Sequence, residues 1–251
     1  MNILAFNSSP RDHQTSKTEL VLQKFLEGAR RAGAVTETLY LQNYKINQCL
    51  SCFCCWLKTP GRCVQKDDMA ETLFDRYLQA DVVVLATPIY CATMNARMKV
   101  FVERTLPMMD PLGEMPEGKG GHPHRFEKMP RVVALSVASY WDQAIFQALS
   151  LTWRMCLGRD LIAEIYRNSS EFLGMPEFQV AVRAVLDAVA RAGEEVVRQG
   201  MVNPDTMAAL TQPLAPAESF DKVAGEGDSA VGRLLLQGRK QAAGSIFQKI
   251  S

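Results

Sequence analysis

The chain has 251 residues, of which 47% are apolar and 22% are charged, and its net charge at pH 7 is +1. This composition is close to that of an average soluble protein and can bury one sizeable core. The balanced charge argues against nucleic acid as a partner, because nucleic-acid-binding domains carry an excess of basic residues. No apolar run approaches the roughly 18 residues of a membrane-spanning helix, and residues 1–6 lack the basic region of a signal peptide. We therefore expect a cytoplasmic protein that binds neither membranes nor nucleic acid.

Short apolar segments alternate with amphipathic segments along the first half of the chain. Ser16 and Glu19 form a capping-box pattern at a helix start. The apolar run 81–87 is typical of a central parallel strand, whereas the alternating run 35–41 is predicted at a sheet edge. In chain order we predict a strand over 2–6, a helix from Ser16 to Gly33, a strand over 35–41, a helix over 69–80 with Asp68 as its N-cap, and a strand over 81–87.

The second half continues the alternation after a segment rich in Pro, Gly and Met. That segment, 106–130, is predicted to be a long inserted loop. The remaining elements are a helix over 95–104, a strand over 131–137, a helix over 145–158, a strand over 161–166 and a helix from Pro176 to Gly200. We expect one domain over 1–200, followed by a helical C-terminal extension over 201–251.

Five predicted strands that alternate with helices define the α/β class, with a doubly wound parallel sheet. The edge character of the second strand and the apolar first and third strands predict the order 2-1-3-4-5. In such sheets, ligands bind beyond the carboxyl ends of strands one, three and four. The loops 7–16, 88–95 and 138–142 are therefore the predicted binding loops.

The first of these loops has the composition of an anion site. Small hydroxyl residues precede a helix whose N-terminal N–H groups would face a bound anion, and Arg11 adds a fixed positive charge. Several convergent donors suit a phosphate monoester such as that of FMN. The alternative is an ordinary N-capped turn. The predicted binding residues are Ser9, Arg11, Gln14, Thr15 and Ser16.

The other two loops place aromatic residues beside small ones. A Tyr or Trp at a strand's carboxyl end can flank a planar ring, which predicts an isoalloxazine rather than a sugar between the two loops. The alternative is that Tyr90 belongs to the core as an amphipathic side chain. The predicted ring-binding residues are Pro88, Ile89, Tyr90, Ser139, Tyr140 and Trp141.

Five of the seven cysteines lie between Cys49 and Cys63, after the second predicted strand. The ligand pattern Cys49-x2-Cys52-x2-Cys55-x7-Cys63 can surround an iron–sulfur cubane with one thiolate for each iron. Cys54 lies one residue off this register, and we expect it to point away. The pattern leaves three alternatives open: a zinc site, a redox dithiol of Cys52 and Cys55, and free thiols.

Two segments resemble a known family. Asn7-Ser8-Ser9-Pro10-Arg11 resembles the Gly-Ser-Pro-Arg phosphate loop of the NADPH-dependent FMN reductase superfamily. The segment from Cys49 to Met69, together with Thr87-Pro88-Ile89-Tyr90, resembles its iron–sulfur flavoprotein branch. The resemblance covers roughly 1–200. It implies a flavodoxin-like fold, bound FMN, a [4Fe–4S] cluster on Cys49, Cys52, Cys55 and Cys63, and a homodimer or higher homo-oligomer.

The resulting functional hypothesis is an FMN-dependent oxidoreductase or electron-transfer flavoprotein. It would move electrons between NAD(P)H, or a ferredoxin-type donor, and a small-molecule or protein acceptor. One alternative is an NAD(P)H-dependent FMN or quinone reductase that has no cluster. A second, from another class, is a thiol- or metal-sensing binding module without turnover. An anaerobic visible spectrum separates the first two, and NAD(P)H oxidation by the FMN-bound protein would exclude the third.

Overall fold

We describe residues 1–111 and 122–215 in a computed structural model of the chain. The strands are β1 (Asn2–Asn7), β2 (Val35–Tyr40), β3 (Val82–Tyr90), β4 (Thr93–Met94), β5 (Arg131–Val137) and β6 (Leu161–Arg167). The α-helices are α1 (Lys17–Arg31), α2 (Cys54–Leu57), α3 (Phe74–Gln79), α4 (Ala96–Glu103), α5 (Gln147–Leu157), α6 (Gln179–Gln199) and α7 (Pro204–Leu210). None of the described helices is long and apolar enough to span a bilayer.

The sheet has the order β2-β1-β3-β5-β6, and all four of these pairings are parallel. This confirms the predicted doubly wound arrangement, with the five parallel strands in their predicted positions. The two-residue strand β4 was not predicted; it folds back antiparallel onto the end of β3. A two-residue strand carries too short a pattern to be recognised from sequence.

Successive residues of β1 face opposite sides of the sheet and enter two separate cores. Ile3 and Ala5 pack with apolar residues of α1 and α6, whereas Leu4 and Phe6 pack with apolar residues of α3 and α4. These four residues of β1 are at most 5% exposed. The period-two alternation of a strand therefore covers the sheet with helices on both faces.

Helix α1 begins with the predicted Ser16 cap, but Glu19 does not make the hydrogen bond that a capping box assigns to it. Ser16 Oγ accepts the backbone N–H of Glu19 at 3.1 Å. The Glu19 carboxylate does not return to the Ser16 backbone; it accepts hydrogen bonds from Asn7 Nδ2 at 2.7 Å and from the Tyr40 hydroxyl at 2.8 Å. Glu19 thus links the ends of β1 and β2 to the helix.

The predicted N-cap at Asp68 is wrong. Asp67 Oδ1, one residue earlier, accepts the backbone N–H of Ala70 at 3.1 Å, and Asp68 Oδ2 accepts the backbone N–H of Lys45 at 2.6 Å. The predicted single helix over 69–80 is a π-helical turn over Met69–Leu73 that continues into α3. Two adjacent aspartates made the capping residue ambiguous in the sequence.

The predicted loop over 106–130 lies partly outside the described residues, which exclude 112–121. At its base, Leu106–Met108 form a 3-10 turn. An antiparallel bridge joins Met109 and His124, and the Asp110 N–H donates to the Pro123 carbonyl at 2.8 Å. The two flanks of the segment are therefore paired with each other.

The start of the predicted extension packs against the domain. Val202, Leu210 and Leu214 belong to the same core as α1 and α6. The buried Glu195 of α6 accepts the Asn203 backbone N–H at 2.9 Å and the Thr206 hydroxyl at 2.7 Å. These contacts join residues on both sides of the predicted boundary at residue 200. The division into a domain and an extension stays a prediction.

We expect Glu195→Gln to weaken the acid dependence of stability. Burial raises the pKa of this carboxyl, but the hydrogen bonds from Asn203 and Thr206 together lower it by more, so the pKa lies below its ordinary value. A lowered folded-state pKa contributes stability above the unfolded value of about 4.3, and that stability is lost as the pH falls through the folded value. The variant should lose about 1–2 kcal/mol at neutral pH and less at a pH below about 4.

Urea unfolding at the two pH values measures this effect. Glu194→Gln is the matched control, because Glu194 pairs with Arg31 at the surface, where such pairs contribute little. Equal losses for Glu195→Gln at both pH values would contradict the prediction.

Candidate functional site

The loop after β1 is held in place by its own polar groups. The Ser8 N–H donates to the Ala86 carbonyl at 2.9 Å, and the Ser9 N–H donates to Asn7 Oδ1 at 2.8 Å. Ser16 Oγ donates to Ser9 Oγ at 2.9 Å. These contacts turn the chain tightly from β1 into the N-terminus of α1, where unpaired helix N–H groups favour an anion.

Asn95 joins this loop to the end of β3. Its Nδ2 donates to the Ser8 carbonyl at 2.7 Å, and its Oδ1 caps α4 by accepting the Met98 N–H at 3.1 Å. Its own N–H donates to Thr87 Oγ1 at 3.2 Å. The side chain is 5% exposed, so two of the predicted binding loops are fixed relative to each other.

The predicted loops surround one small cavity at the carboxyl edge of the sheet. Its volume is about 70 Å³, which is closer to the size of a phosphate group than to that of a whole flavin. The predicted residues that line it are Ser9, Arg11, Pro88, Ile89, Tyr90 and Ser139. The lining residues that were not predicted are Lys17, Thr18, Val137, Ser170 and Glu171.

Charged groups of both signs meet in this cavity. Burial lowers the pKa of the Lys17 ammonium, the Glu171 carboxylate opposes this lowering, and Arg11 adds to it. Lys17 is the first residue of α1 and directly follows the Ser16 cap. Because the cap was recognised in the sequence, it could have indicated that Lys17 lies at the anion-binding end of the helix. Ser170 and Glu171 follow β6, a strand whose loop the switch-point argument did not include.

Five predicted residues lie outside the lining of this cavity. Gln14 and Thr15 are exposed, and Ser16 is buried behind the loop as the helix cap. The Tyr140 and Trp141 rings stack on each other at 4.3 Å and remain 44% and 45% exposed. Their role in binding stays a prediction, as does that of all the predicted site residues.

A tight hairpin stands beside the cavity. Tyr90 pairs with Thr93 across a two-residue turn, in which Cys91 and Ala92 have φ of 48° and 62°. Two-residue hairpins need this left-handed backbone, which usually selects Gly or Asn. Non-glycine residues in this region are strained and cluster at functional sites. The hairpin presents Tyr90, 47% exposed, at the cavity mouth.

A larger groove of about 500 Å³ lies between α5, β6 and α7. Its charged groups are paired with one another: Glu164 accepts hydrogen bonds from Arg154 at 2.6 Å and from the Tyr166 hydroxyl at 3.1 Å. It lies at the edge strand rather than at the point where strand order reverses. Neither feature points to a cofactor.

The cysteine segment forms an irregular loop around the short helix α2. Ser51 and Phe53, on either side of Cys52, have φ of 49° and 52°. Cys55 is buried and 8% exposed, whereas Cys52 is exposed. The indole N–H of Trp56 donates to the Leu106 carbonyl at 3.2 Å, which ties the loop to the segment after α4.

The Cys54 thiol interacts with Cys52 and with Cys63. Hydrogen bonds from the Cys54 backbone N–H and thiol lower the pKa of Cys52. The expectation that Cys54 points away from the other thiols is therefore wrong. Burial raises the pKa of Cys55, and the thiols of Cys63, Cys49 and Cys52 raise it further.

Within residues 1–111 and 122–215, no three His, Cys, Asp or Glu side chains are arranged around a common point as metal ligands. The donor set nevertheless has the right chemistry for an iron–sulfur cluster. Thiolates are the soft ligands that such clusters require, and Cys55 lies near all three other predicted ligands. The residues present therefore fit the group by the chemistry of their donor atoms.

Comparison with known proteins identifies the family. The NADPH-dependent FMN reductase family matches residues 1–138, more than half of the chain, and the chain belongs to this family. This result confirms the resemblance seen in the phosphate loop. The matched range also contains the cysteine segment.

Two curated relatives are named iron–sulfur flavoproteins. The one from Archaeoglobus fulgidus is 34% identical over 120 residues, which cover 48% of this chain and 50% of the relative. The one from Methanosarcina thermophila is 29% identical over 106 residues, which cover 42% and 53%. The chain thus spans about half the length of the curated relatives it matches.

Solved structures confirm the flavodoxin-like fold. An FMN-dependent NADH-azoreductase from Bacillus anthracis, in complex with FMN, has a TM-score of 0.56 at 12% identity and covers 79% of this chain and 100% of its own. An NAD(P)H:quinone oxidoreductase from Methanothermobacter marburgensis has a TM-score of 0.54 at 17% identity, with 78% and 94% covered. At these identities the likeness concerns the fold alone.

Proposed function

We propose that the protein is an FMN-dependent oxidoreductase that also carries a [4Fe–4S] cluster and transfers electrons between NAD(P)H, or a ferredoxin-type donor, and an acceptor. The observation that carries the flavin assignment is the small cavity at the switch point, where Arg11 and Lys17 lie beside the N-terminus of α1. Family membership supports FMN, and the names of the curated relatives support the cluster.

The cavity residues would bind the flavin by its phosphate. Arg11 and Lys17 supply two positive charges, Ser9 and Ser170 supply hydroxyl groups, and the helix N-terminus supplies N–H groups. Glu171 faces Lys17 and offsets part of this positive charge. The two positive charges would bind a phosphate monoester, and before it binds, Glu171 would partly neutralise them.

The ring would lie across the open side of the cavity. Tyr90 and Ile89 stand on one side, on the rigid hairpin, and Ser139 stands on the other, at the end of β5. Tyr140 and Trp141 form an exposed aromatic pair one and two residues further on. The flavin supplies the redox chemistry when bound, while these residues would orient the ring and shield it from water.

The cysteine loop would hold the cluster through Cys49, Cys52, Cys55 and Cys63, and the cluster would supply one-electron transfer. The donor and acceptor would be small molecules or electron-transfer proteins. We also propose a cytoplasmic location, in which the thiols stay reduced, and a homo-oligomeric assembly.

Anaerobic purification followed by spectroscopy tests this function. We expect flavin absorption bands with a broad underlying absorption from the cluster, together with oxidation of NAD(P)H or of a reduced ferredoxin. Flavin bands and NAD(P)H oxidation without iron or acid-labile sulfide would instead support the cluster-free FMN or quinone reductase. Absence of any turnover by the FMN-bound protein would favour the sensing module.

We expect Arg11→Ala to weaken FMN binding by about 1.5–3 kcal/mol, the range for a hydrogen bond to a charged group. This corresponds to an increase in Kd of about 10- to 150-fold. Fluorescence titration of the apoprotein with FMN measures the change. Arg30→Ala, which removes the same charge at the other end of α1, is the control and should leave Kd unchanged. An unaltered Kd in Arg11→Ala would place the phosphate elsewhere.

A further inference from the structure

The cysteine loop is closed at its base by paired backbone and aspartate groups. Lys45 and Asp68 exchange two hydrogen bonds, since the Lys45 N–H donates to Asp68 Oδ2 at 2.6 Å and the Asp68 N–H donates to the Lys45 carbonyl at 3.1 Å. The Asn47 N–H donates to Asp67 Oδ2 at 2.8 Å. The two flanks of the segment that holds all five clustered cysteines therefore meet at one neck, which we define as Lys45, Asn47, Asp67 and Asp68.

Arg104, the residue directly after α4, binds this neck through its side chain. Its side chain is 1% exposed and that of Asp67 is 0% exposed. The guanidinium donates to both Asp67 oxygens, at 2.6 and 2.9 Å, and to the Asn47 carbonyl at 2.8 Å. One planar cation thus contacts both flanks of the loop, which a single-point donor such as Lys does not match.

The same guanidinium lies next to a cysteine. Cys63 and Arg104 line one small cavity, and the Cys63 thiol lies close enough to interact electrostatically with the guanidinium. Arg104 Nε is buried, and it has no hydrogen-bond partner among the described residues. A buried N–H group is seldom left unpaired, and such an exception calls for an explanation.

Fold stability alone does not explain this ion pair. Replacing a buried ion pair by apolar side chains of similar volume is often neutral or stabilising, so its presence is weak evidence for a stabilising role. Its contacts instead converge on the two flanks of the cysteine loop and on Cys63. A fixed positive charge at this point would also offset the negative charge that several thiolates bring to one site.

We propose that Asp67 and Arg104 are positioning residues for the cysteine loop: the pair closes the neck and holds Cys63 where it can bind iron together with the other cysteines. This inference rests on the proposed function, in which the cysteines hold an iron–sulfur cluster. Neither residue is predicted to contact the cluster irons. Their action would be exerted through the loop and through the charge beside Cys63.

The test compares Asp67→Leu/Arg104→Met, Arg104→Lys and the exposed control Lys66→Gln with the wild-type protein. In metal-free protein, we expect the double variant to exchange amide hydrogens in residues 45–66 about tenfold faster, as expected when a hydrogen bond to a charged group is lost, while its FMN affinity is unchanged. After anaerobic reconstitution with iron and sulfide, it should bind clearly less iron than wild type. Lys66→Gln should match the wild type in all three measurements.

Arg104→Lys separates positioning from simple charge neutralisation, and it also serves if the double variant does not fold. The lysine keeps the ion pair with Asp67 but loses the Nε–H and the planar fork. We expect it to fold and to bind FMN, with reduced iron content and an altered electron paramagnetic resonance spectrum of the reduced cluster. Iron content and a spectrum identical to those of wild type would overturn the positioning role.

The outcomes distinguish this inference from the proposed function. Full iron in both variants and in the wild type, with unchanged hydrogen exchange, would overturn the inference and leave the proposed function standing. If wild-type protein takes up no iron, the cluster is excluded, and an unchanged exchange rate in the variants would then overturn the closing role of the pair as well.

Discussion

Replacing Cys49, Cys52, Cys55 or Cys63 by Ser is expected to remove iron and acid-labile sulfide together, while FMN remains bound. A cubane needs one thiolate for each iron, and a hydroxyl is a poor substitute for a soft ligand. FMN should stay because the residues that line its proposed phosphate site come from other loops, those after β1, β3, β5 and β6. Iron, sulfide and flavin contents of anaerobically reconstituted protein measure the effect.

Cys54→Ser is the matched control for this series. Cys54 lies beside Cys52 but is not one of the four proposed ligands, and we expect its replacement to change neither iron nor flavin. The structure makes the comparison with Cys55 informative, because Cys54 contacts Cys52 whereas Cys55 is buried. Loss of iron in Cys54→Ser but not in Cys55→Ser would show that the assigned register is wrong. Absence of iron from the wild type would exclude the cluster altogether.

Gly193→Ala should lower the free energy of unfolding by about 3 kcal/mol, which is the upper part of the range for overpacking. Helices α1 and α6 cross with their backbones in close approach. A Cβ on Gly193 would overlap the Phe25 carbonyl oxygen, and one on Gly28 would overlap the Ala190 carbonyl oxygen. Because these are backbone atoms, the helices would have to separate, which would open the core that both share.

Urea unfolding of the FMN-free protein measures this loss. Arg198→Ala is the control, since it introduces the same residue on the exposed side of α6 and should change the free energy of unfolding by no more than about 0.5 kcal/mol. A loss in Gly193→Ala as small as that of the control would show that the two backbones are further apart.

Local patterns in the sequence were sufficient to predict the fold. Strand β3 is apolar from Val82 to Ala86 because it is buried on both faces, and β2 alternates because it lies at the edge. Ser16 could be identified as a helix cap because its hydrogen bond reaches only three residues along the chain. Such features depend on neighbours in sequence, so a single chain reveals them.

The binding edge was also predictable, since the carboxyl ends of parallel strands meet at one side of the sheet. This rule led to Arg11, Tyr90 and Ser139, all of which line the cavity. The rule did not lead to Ser170 or Glu171, because it named only the loops after the first, third and fourth predicted strands. Which residues after β6 reach the cavity is decided by how that segment packs. Their approach to Lys17 depends on distances that no local pattern encodes.

What the sequence by itself determined was the order of strands and helices, the loops that gather at the sheet edge and the clustering of five cysteines. The tertiary structure alone decided that Asp67 pairs with Arg104, 37 residues away. The physical reason is that a buried charge requires a partner of opposite sign, but nothing in the local sequence specifies which distant residue folding will bring beside it.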